Sequence, residues 1–410
     1  MKIHKFLFFV GITILLFQPV FAQDWSQWRG SNRDGVAAIS QIPSNWPQQL
    51  RQAWQIEVGE GHSSPIYSNG KIFVFTRQNT EEVLLCINPK DASIIWQKSY
   101  SAPYTLNPAA FGHGKGPKST PVIAEGKIIT LGINGVLSCF DITNGALTWQ
   151  RRFTEQFSKT APVFGTAMSP LVNDGLAIAH VGGQKGALMA IDIKSGDIKW
   201  QWDNDGPGYS SPLIATIAGV KQIITLSQKN IIGLAFENGK LLWQIPFQTP
   251  WFQNIQTPLF YENDLILSGL QKALMRVKIE KKNDTWSVEE VWKNKDTWTY
   301  MSSPVLFGDI IVLFSDRRKG SYAMVDAKSG EVLWQSQGRV GENAALIRVG
   351  EFLLSLQNEG KLIIAKPSRE KLDIIREYTV ADSQTWAHPV LFDNHILIKD
   401  KTNLTLWKLN

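Results

Sequence analysis

Residues 119–149 read STPVIAEGKIITLGINGVLSCFDITNGALTW, and this stretch decides the fold. It opens on the hydroxyl-Pro step Ser119-Thr120-Pro121 and continues through short apolar runs rich in β-branched residues, separated by turns such as Glu125-Gly126. It ends on Asp141, Gly145 and Trp149 at regular spacing. Short alternating runs bounded by Gly-containing turns are typical of strands. The stretch therefore predicts one four-stranded antiparallel unit.

The hydroxyl-Pro step recurs along the whole chain. It stands at Pro65, Pro121, Pro170, Pro212, Pro258, Pro304 and Pro389, and Leu346 takes the place of Pro in one further copy. Successive steps lie between 42 residues (170 to 212) and 56 residues (65 to 121) apart. Repeats of this length, each with four short strands, are typical of propeller blades.

A second motif, Asp-x-x-x-Gly-x-x-x-Trp, ends most of the repeats. We expect the Asp to cap a tight turn, the Gly to adopt a positive φ, and the Trp to cover the seam between adjacent blades. The copy at Trp292 has lost its Gly, and Ile375 replaces Trp in the seventh repeat. The motif residues are Asp141, Gly145, Trp149, Asp192, Gly196, Trp200, Asp326, Gly330 and Trp334, with weaker copies ending at Trp96 and Trp243.

The two chain ends predict how the ring closes. The last repeat stops at Trp407, one strand short, whereas a spare strand at 52–58 precedes the first hydroxyl-Pro step. An N-terminal strand that completes the last blade leaves no exposed sheet edge at the seam. The sequence thus predicts an all-β fold: an eight-bladed propeller of four-stranded antiparallel blades, closed by an N-terminal strand.

The chain divides into three segments. Residues 1–22 combine Lys2 and Lys5, an apolar run from Phe6 to Phe17 and a small-residue end at Ala22, which predicts a cleaved signal peptide. An uncleaved anchor is the alternative, and no Cys follows the run to form a lipoprotein. Residues 23–50 are expected to form a clasp across one face through Trp25, Trp28 and Arg29, or else to dock a partner. Residues 51–410 form the propeller of an exported, periplasmic or extracellular protein.

Composition limits the classes of partner. The net charge is +6, and about +4 remains without Lys2 and Lys5, which is too little to indicate nucleic acid. Cys86 and Cys139 occupy equivalent places in successive repeats, so we expect two buried thiols rather than a disulfide. We expect a monomer, peripheral to a membrane at most. His62 and His113 have no further ligand at metal-binding spacing, so no metal is expected.

The candidate binding residues lie where the chain enters each inner strand, beside the mouth of the central channel. The residues before each hydroxyl-Pro step vary, whereas the step itself is nearly uniform, which favours a surface adapted to a ligand or partner. Packing of each ring on the next loop is the alternative. The candidates are His62, Lys118, Tyr209, Met301, Asn343 and Trp386, with His113, Lys115, Trp251 and Trp298 from the longer entry loops.

A basic rim is expected around the same mouth. Basic residues recur at the blade period in the turns between the middle strands, where they would attract an anionic partner. Solvated loop charges with no partner are the alternative. The residues are Lys185, Lys229, Lys272, Arg317 and Arg318.

The Asp-x-x-x-Gly-x-x-x-Trp copies resemble the pyrroloquinoline-quinone (PQQ) repeat propellers. That family includes PQQ-dependent alcohol dehydrogenases and BamB-type propellers of outer-membrane assembly. The stretches Trp25–Gly30 and Gly114–Pro121 are similar to those of exported bacterial members. The resemblance covers nearly all of the mature chain, but the repeats alone do not establish a cofactor.

The resemblance leaves three functions open. The first is a non-catalytic scaffold for a protein or polysaccharide partner, for example in cell-envelope assembly, with no cofactor expected. The second is a quinoprotein alcohol or sugar dehydrogenase using PQQ and Ca²⁺, although the chain has no adjacent cysteines and no Cys-x-x-Cys-His haem motif. The third is a carbohydrate-binding propeller. No catalytic residue is assigned, so the scaffold is favoured.

Overall fold

The computed structural model describes residues 24–37, 42–43, 45–153, 156, 162–182 and 186–410. Within these residues, 33 strands form eight sheets, and the sheets follow one another in chain order. Contacts between the inner strands of the first and last sheets close the circle. The eight-bladed, all-β propeller that the sequence predicts is confirmed. The predicted signal peptide lies outside the described residues.

The first four blades follow the hairpin order of the repeat. Blade 1 contains β3 (Ile66–Ser68), β4 (Lys71–Gln78), β5 (Glu81–Ile87) and β6 (Ile94–Ser101). Blade 2 contains β7 (Val122–Ala124), β8 (Lys127–Leu131), β9 (Val136–Asp141) and β10 (Leu147–Arg152). Blade 3 contains β11 (Leu171–Asn173), β12 (Leu176–Val181), β13 (Ala187–Asp192) and β14 (Ile198–Trp202). Blade 4 contains β15 (Leu213–Ile217), β16 (Val220–Leu226), β17 (Asn230–Ala235) and β18 (Leu241–Pro246).

The remaining blades include two departures from the plain repeat. Blade 5 contains β19 (Leu259–Tyr261), β20 (Asp264–Gly269), β21 (Lys272–Lys282) and β22 (Thr285–Asn294), whose last two strands form a long hairpin. Blade 6 contains β23 (Val305–Phe307), β24 (Ile310–Ser315), β25 (Ser321–Asp326) and β26 (Val332–Gln335). Blade 7 contains β27 (Ala344–Val349), β28 (Phe352–Gln357), β29 (Lys361–Pro367) and β30 (Leu372–Thr379), and the short β1 (Val36–Ala37) pairs with β27 as a fifth, parallel strand.

Blade 8 is built from both ends of the chain, as the sequence predicts. Its inner three strands are β31 (Val390–Phe392), β32 (His395–Lys399) and β33 (Asn403–Lys408). The outer strand is β2 (Arg51–Glu57), which pairs antiparallel with β33 from Arg51 opposite Lys408 to Glu57 opposite Asn403. Because this pairing satisfies the backbone of β33, the last sheet has no unpaired edge at the closure.

The hydroxyl-Pro steps bind each other around the channel. The backbone N–H at the middle position of one step donates to the side-chain hydroxyl at the same position of the next blade. This contact joins Ser64 to Thr120 (3.1 Å), Thr120 to Ser169 (2.9 Å), Ser169 to Ser211 (2.9 Å), Thr257 to Ser303 (3.1 Å) and His388 to Ser64 (2.9 Å). The hydroxyl is therefore a connector between inner strands, which explains why these positions are nearly uniform.

The motif tryptophans lie between blades. A Cβ built on Gly145 of blade 2 would come 2.6 Å from the indole of Trp96 in blade 1, and Gly196 stands in the same relation to Trp149. The indole N–H of Trp149 also donates to the Ile193 carbonyl of the next blade at 2.8 Å. Each motif thus offers a bare glycine surface on which the preceding blade's indole packs.

Trp243 departs from this pattern. The next blade, blade 5, has a long hairpin in place of the Gly turn, so Trp243 has no glycine platform to cover. Its indole is buried against Gly233 of its own blade and donates to the Gln222 side chain at 2.7 Å. Loss of the turn in one repeat therefore redirects the tryptophan of the repeat before it.

The apolar core is distributed through the blades rather than gathered at one centre. Val74, Leu85, Leu354 and Leu397 are examples of residues that are inaccessible to solvent. Cys86 and Cys139 are both buried and unpaired, as the sequence predicts, and burial raises the pKa of each thiol to about 11. These thiols are therefore protonated side chains of the core.

The contact between tryptophan and glycine predicts that alanine destabilises the protein more at Gly145 than at Gly126. Gly145 and Gly126 have similar positive φ angles of 69° and 74°, but only Gly145 faces an indole, since nothing lies within 4 Å of a Cβ on Gly126. The Gly126→Ala variant should lose roughly 1 to 2 kcal/mol from backbone strain alone. The Gly145→Ala variant should lose more, because the Trp96 indole must also move. Urea unfolding of the two purified variants checks this prediction. Equal losses in the free energy of unfolding would contradict the packing of the Trp96 indole on Gly145.

Candidate functional site: a cavity at the channel mouth

The entry loops and the middle-strand turns lie on one face, which we call the mouth face. In blade 4 the backbone N–H of Gln228, in the turn between β16 and β17, donates to the Gly206 carbonyl of the entry loop at 2.8 Å. In blade 6 the N–H of Arg339, in the loop that leads to blade 7, donates to the Arg318 carbonyl at 3.0 Å. The predicted ring and the predicted rim therefore share one side of the propeller.

A cavity of about 160 Å³ occupies the centre of the mouth face. Most of the predicted ring lines it, so the geometric argument from the repeat locates a real concavity. Asn343 is absent from the lining, and its backbone N–H donates to the Asn358 side chain instead. The lining residues are Trp28, His62, His113, Lys118, Phe164, Ala167, Tyr209, Ser211, Gln253, Ile255, Tyr300, Met301, Ser303 and Trp386.

The other entry-loop candidates lie outside the cavity. Lys115 is exposed, and its carbonyl accepts a long hydrogen bond from Arg77. The indole N–H of Trp298 donates to Asp316 at 2.8 Å, and the Arg317 guanidinium lies over its ring. Trp251 is 79% exposed, with a positive φ of 58°, which is uncommon for a bulky side chain. Trp251 therefore projects from the mouth face into solvent and does not line the cavity.

The floor of the cavity is made by the N-terminal segment 24–37. The segment begins at blade 1, where Trp25 pairs with Tyr67, and ends at blade 7 in β1. Between these anchors it rises to the level of the hydroxyl-Pro steps, where the Trp28 indole donates to Thr257 at 2.9 Å and lies 4.3 Å from His388. The clasp predicted for residues 23–50 is thus, in its described part, also a plug.

Two arginines hold the plug in the channel. The Arg29 guanidinium donates to the carbonyls of Ser303 (3.1 Å) and Pro304 (2.7 Å), and the Arg33 guanidinium donates to those of Ser169, Pro170 and Pro212. Both side chains are almost completely buried. Burial lowers the pKa of Arg29 to about 10 and that of Arg33 to about 9, so both stay charged at neutral pH. The sequence predicts Arg29 as part of the clasp, but it does not predict the role of Arg33.

Positive charge surrounds the cavity. Lys118 lines it and donates to the Phe164 carbonyl at 2.5 Å, and burial lowers the pKa of Lys118 to about 8. Lys399 lies nearby, is fully buried and donates to the Gly61 carbonyl at 2.7 Å. Burial, with Lys399 and Lys118 close by, lowers the pKa of His62 to about 3. His62 is therefore neutral at pH 7, and its buried Nε2 has no hydrogen-bond partner among the described residues.

The predicted basic rim is exposed only in part. Lys229 and Arg318 are exposed, and Lys272 is half-buried at the start of β21. The guanidinium of Arg317 lies 4.5 Å from the Trp298 ring centroid. Lys361, which continues the series, is paired with Glu377. Lys185 lies outside the described residues.

A family model for the outer membrane protein assembly factor BamB matches residues 80–336, more than half of the chain. The chain belongs to this family. BamB of Yersinia pestis is 28% identical over 268 residues, which cover 64% of this chain and 61% of that protein. BamB of Escherichia coli K12 is 24% identical over 40% of each chain. The matches to these BamB proteins thus span less than two thirds of their length.

Solved structures share the fold of this BamB-family chain. The crystal structure of BamB from Moraxella catarrhalis covers 88% of the chain, with a TM-score of 0.62 and 16% identity, and 97% of that structure is matched. A quinohemoprotein alcohol dehydrogenase from Comamonas testosteroni covers 94%, with a TM-score of 0.65 and 13% identity, and 80% of its chain is matched. At these identities the likeness shows the propeller fold alone.

The donor set of the cavity does not fit a Ca²⁺-bound quinone. Calcium takes six to eight oxygen ligands, with carboxylates prominent among them. Of the described residues that line the cavity, none is Asp or Glu, and Lys118 lies where a cation would be repelled. Nor do the described residues contain a cluster of three His, Cys, Asp or Glu side chains suited to a metal.

No helix in the described part of this BamB-family chain is long and apolar enough to cross a membrane.

The lowered pKa of His388, which lies beneath the cavity, predicts that the protein loses stability in acid. Burial and the nearby Arg29 hold the pKa of His388 well below its usual value near 6.5. Below pH 6.5 the unfolded chain binds a proton at this residue that the folded chain does not, so the free energy of unfolding falls as the pH falls. The His388→Asn variant should show a shallower decline between pH 6.5 and 4.5 in urea unfolding. An unchanged slope would show that His388 is protonated without cost in the folded protein.

Proposed function

We propose that this chain is a protein-binding propeller of the cell envelope that acts in outer membrane protein assembly and docks its partner on the mouth face. The family match supports the process, since the matching model and the relatives at 24–28% identity are named as outer membrane protein assembly factors. Export through the N-terminal signal belongs to the same proposal. The observation that carries the docking surface is the exposure of aromatic and basic side chains on this one face.

Two exposed aromatic residues stand on different entry loops, those that lead into blade 2 and blade 5. Trp251 is 79% exposed in the short turn Pro250–Phe252, and Phe111 is 67% exposed in the turn Pro108–His113. Buried aromatic anchors supply much of the energy at protein interfaces. A partner that covers both loops would remove a large apolar area from water.

Exposed basic residues on the same face complement these aromatic residues. Lys229 and Arg318 form no ion pair with any carboxylate among the described residues, so their charges are available to a partner. Charged residues at the edge of an interface mainly accelerate association and select partners. The mouth face thus offers apolar anchors for affinity and positive charge for steering toward an acidic protein surface.

Site-specific photo-crosslinking in the host cell tests the docking face. A photo-reactive phenylalanine at position 251 should crosslink to a component of the outer membrane protein assembly machinery, identified by mass spectrometry. The matched control is position 194, where Lys194 is exposed in a turn between β13 and β14 on the opposite face. A crosslink to that machinery from position 194 and none from position 251 would place the docking surface elsewhere.

Charge reversal then tests the steering. In the position-251 background, Lys229→Glu with Arg318→Glu should reduce the yield of that crosslink several-fold, because like charges oppose encounter. The control pair Lys194→Glu with Lys240→Glu makes the same change in net charge on the opposite face and should leave the yield unchanged. Equal yields from both pairs, at equal melting temperatures, would overturn the role of the basic residues.

A further inference from the structure

We propose that the cavity at the channel mouth is a binding site for a compact aromatic carboxylate, with one planar ring between the aromatic walls and its carboxylate on Lys118. This site is separate from the docking function, because it lies within the ring of entry loops and uses none of Trp251, Lys229 or Arg318. The size of the cavity, its aromatic walls and its positive charge support this ligand class.

The size of the cavity fits a ligand with a single aromatic ring. A cavity of about 160 Å³ is close to the volume of about 150 Å³ that is known to hold a benzene molecule in a protein core. Trp28 closes the bottom, so a longer ligand cannot pass through the channel. The mouth stays open toward solvent, so only the group attached to the ring can extend outward.

The walls of the cavity are aromatic and packed edge to face. The ring of His113 lies 5.4 Å from that of Trp386 and 6.2 Å from that of Phe164, and Phe164 lies 6.1 Å from Tyr209, all at steep interplanar angles. Such an enclosure presents both ring faces and ring edges toward its interior. A planar apolar ring is the shape that gains most from offset and edge contacts of this kind.

The positive charge at the cavity favours a ligand with an anionic group. Among the described residues, Lys118 has one hydrogen-bond partner, the Phe164 carbonyl, so its ammonium retains two donors, and no carboxylate of these residues lines the cavity. Beneath the floor, Arg29 and Arg33 donate to backbone carbonyls, and Lys399 does the same beside His62. Burial and the nearby Lys118 lower the pKa of His113, and Glu342, which is outside the lining, opposes this shift. A carboxylate would give Lys118 the charged partner that the described residues do not supply.

The polar groups of the wall disfavour a sugar. The Tyr300 hydroxyl donates to Gln253 at 2.5 Å, the Tyr209 hydroxyl accepts from the Phe164 N–H at 3.3 Å, and Ser303 is engaged with Thr257. A sugar ring carries several hydroxyls that each need a partner, and burial without one costs free energy. Because the hydroxyl groups of Tyr300, Tyr209 and Ser303 each already have a partner within the protein, the wall suits a ligand with few polar groups.

A calorimetric titration of purified protein with 3-phenylpropionate tests the site. We expect weak but saturable binding, and we expect 3-phenylpropionamide, which has the same shape without charge, to bind at least about tenfold more weakly. The Lys118→Met variant should lose the preference for the acid over the amide. The Lys115→Met variant removes an exposed charge from the same loop, outside the lining, and should retain that preference.

Two sources of this chemistry are separated by a second titration with the peptide Gly-Gly-Phe and its C-terminal amide. Tighter binding of the free-acid peptide than of 3-phenylpropionate indicates the carboxyl end of a protein chain, whereas binding of 3-phenylpropionate alone indicates a free metabolite. Absence of binding by both acids, equal affinity for acid and amide, or an unchanged Lys118→Met variant would each overturn the site. None of these outcomes affects the crosslinks from position 251, so failure of the site and failure of the docking proposal can be told apart.

Discussion

The hydrogen bonds between successive hydroxyl-Pro steps form at five of the eight blade junctions in the described residues, and the positions of the other elements depend on this partial circle. Each bond ties the N–H of one inner strand to a hydroxyl on the next, for example Thr120 to Ser169 at 2.9 Å. These groups are buried, so each unmade bond would leave a polar group without water or partner. The circle therefore fixes the spacing of the inner strands, and through them the width of the channel and the position of each entry loop.

The circle also explains the plug. Proline has no N–H, so each Pro in the step contributes a carbonyl to the channel wall but no donor. Arg29 and Arg33 supply the missing donors at Pro304 and at Pro170 and Pro212. In blade 7 the step has lost its hydroxyl at Ala345, and there β1 of the same N-terminal segment pairs with β27. The segment thus supports the ring where the repeat is weakest, and it turns an open channel into a cavity with a floor.

Much of this arrangement could be predicted from the sequence, because the same motif recurs in nearly every blade. Seven hydroxyl-Pro steps and one copy without Pro predicted the number of blades, and the missing strand after Trp407 predicted that a strand at 52–58 completes blade 8, which the structure places at 51–57. The position before each step predicted residues such as His62, Lys118 and Trp386 that line the cavity. Features that occur once were harder. Nothing in the repeat indicates that Arg33 enters the channel, that Asn343 turns away from the cavity, or that Trp243 folds back onto its own blade. Each depends on a neighbour that is distant in sequence.

A high-resolution crystal structure of the purified protein without residues 1–22 tests the plugged channel most directly. We expect eight blades, the Trp28 indole against Thr257, and both guanidinium groups on the proline carbonyls beneath a cavity that opens only toward the mouth face. An electron-density map with a channel open from face to face, and the N-terminal segment away from the blades, would contradict it.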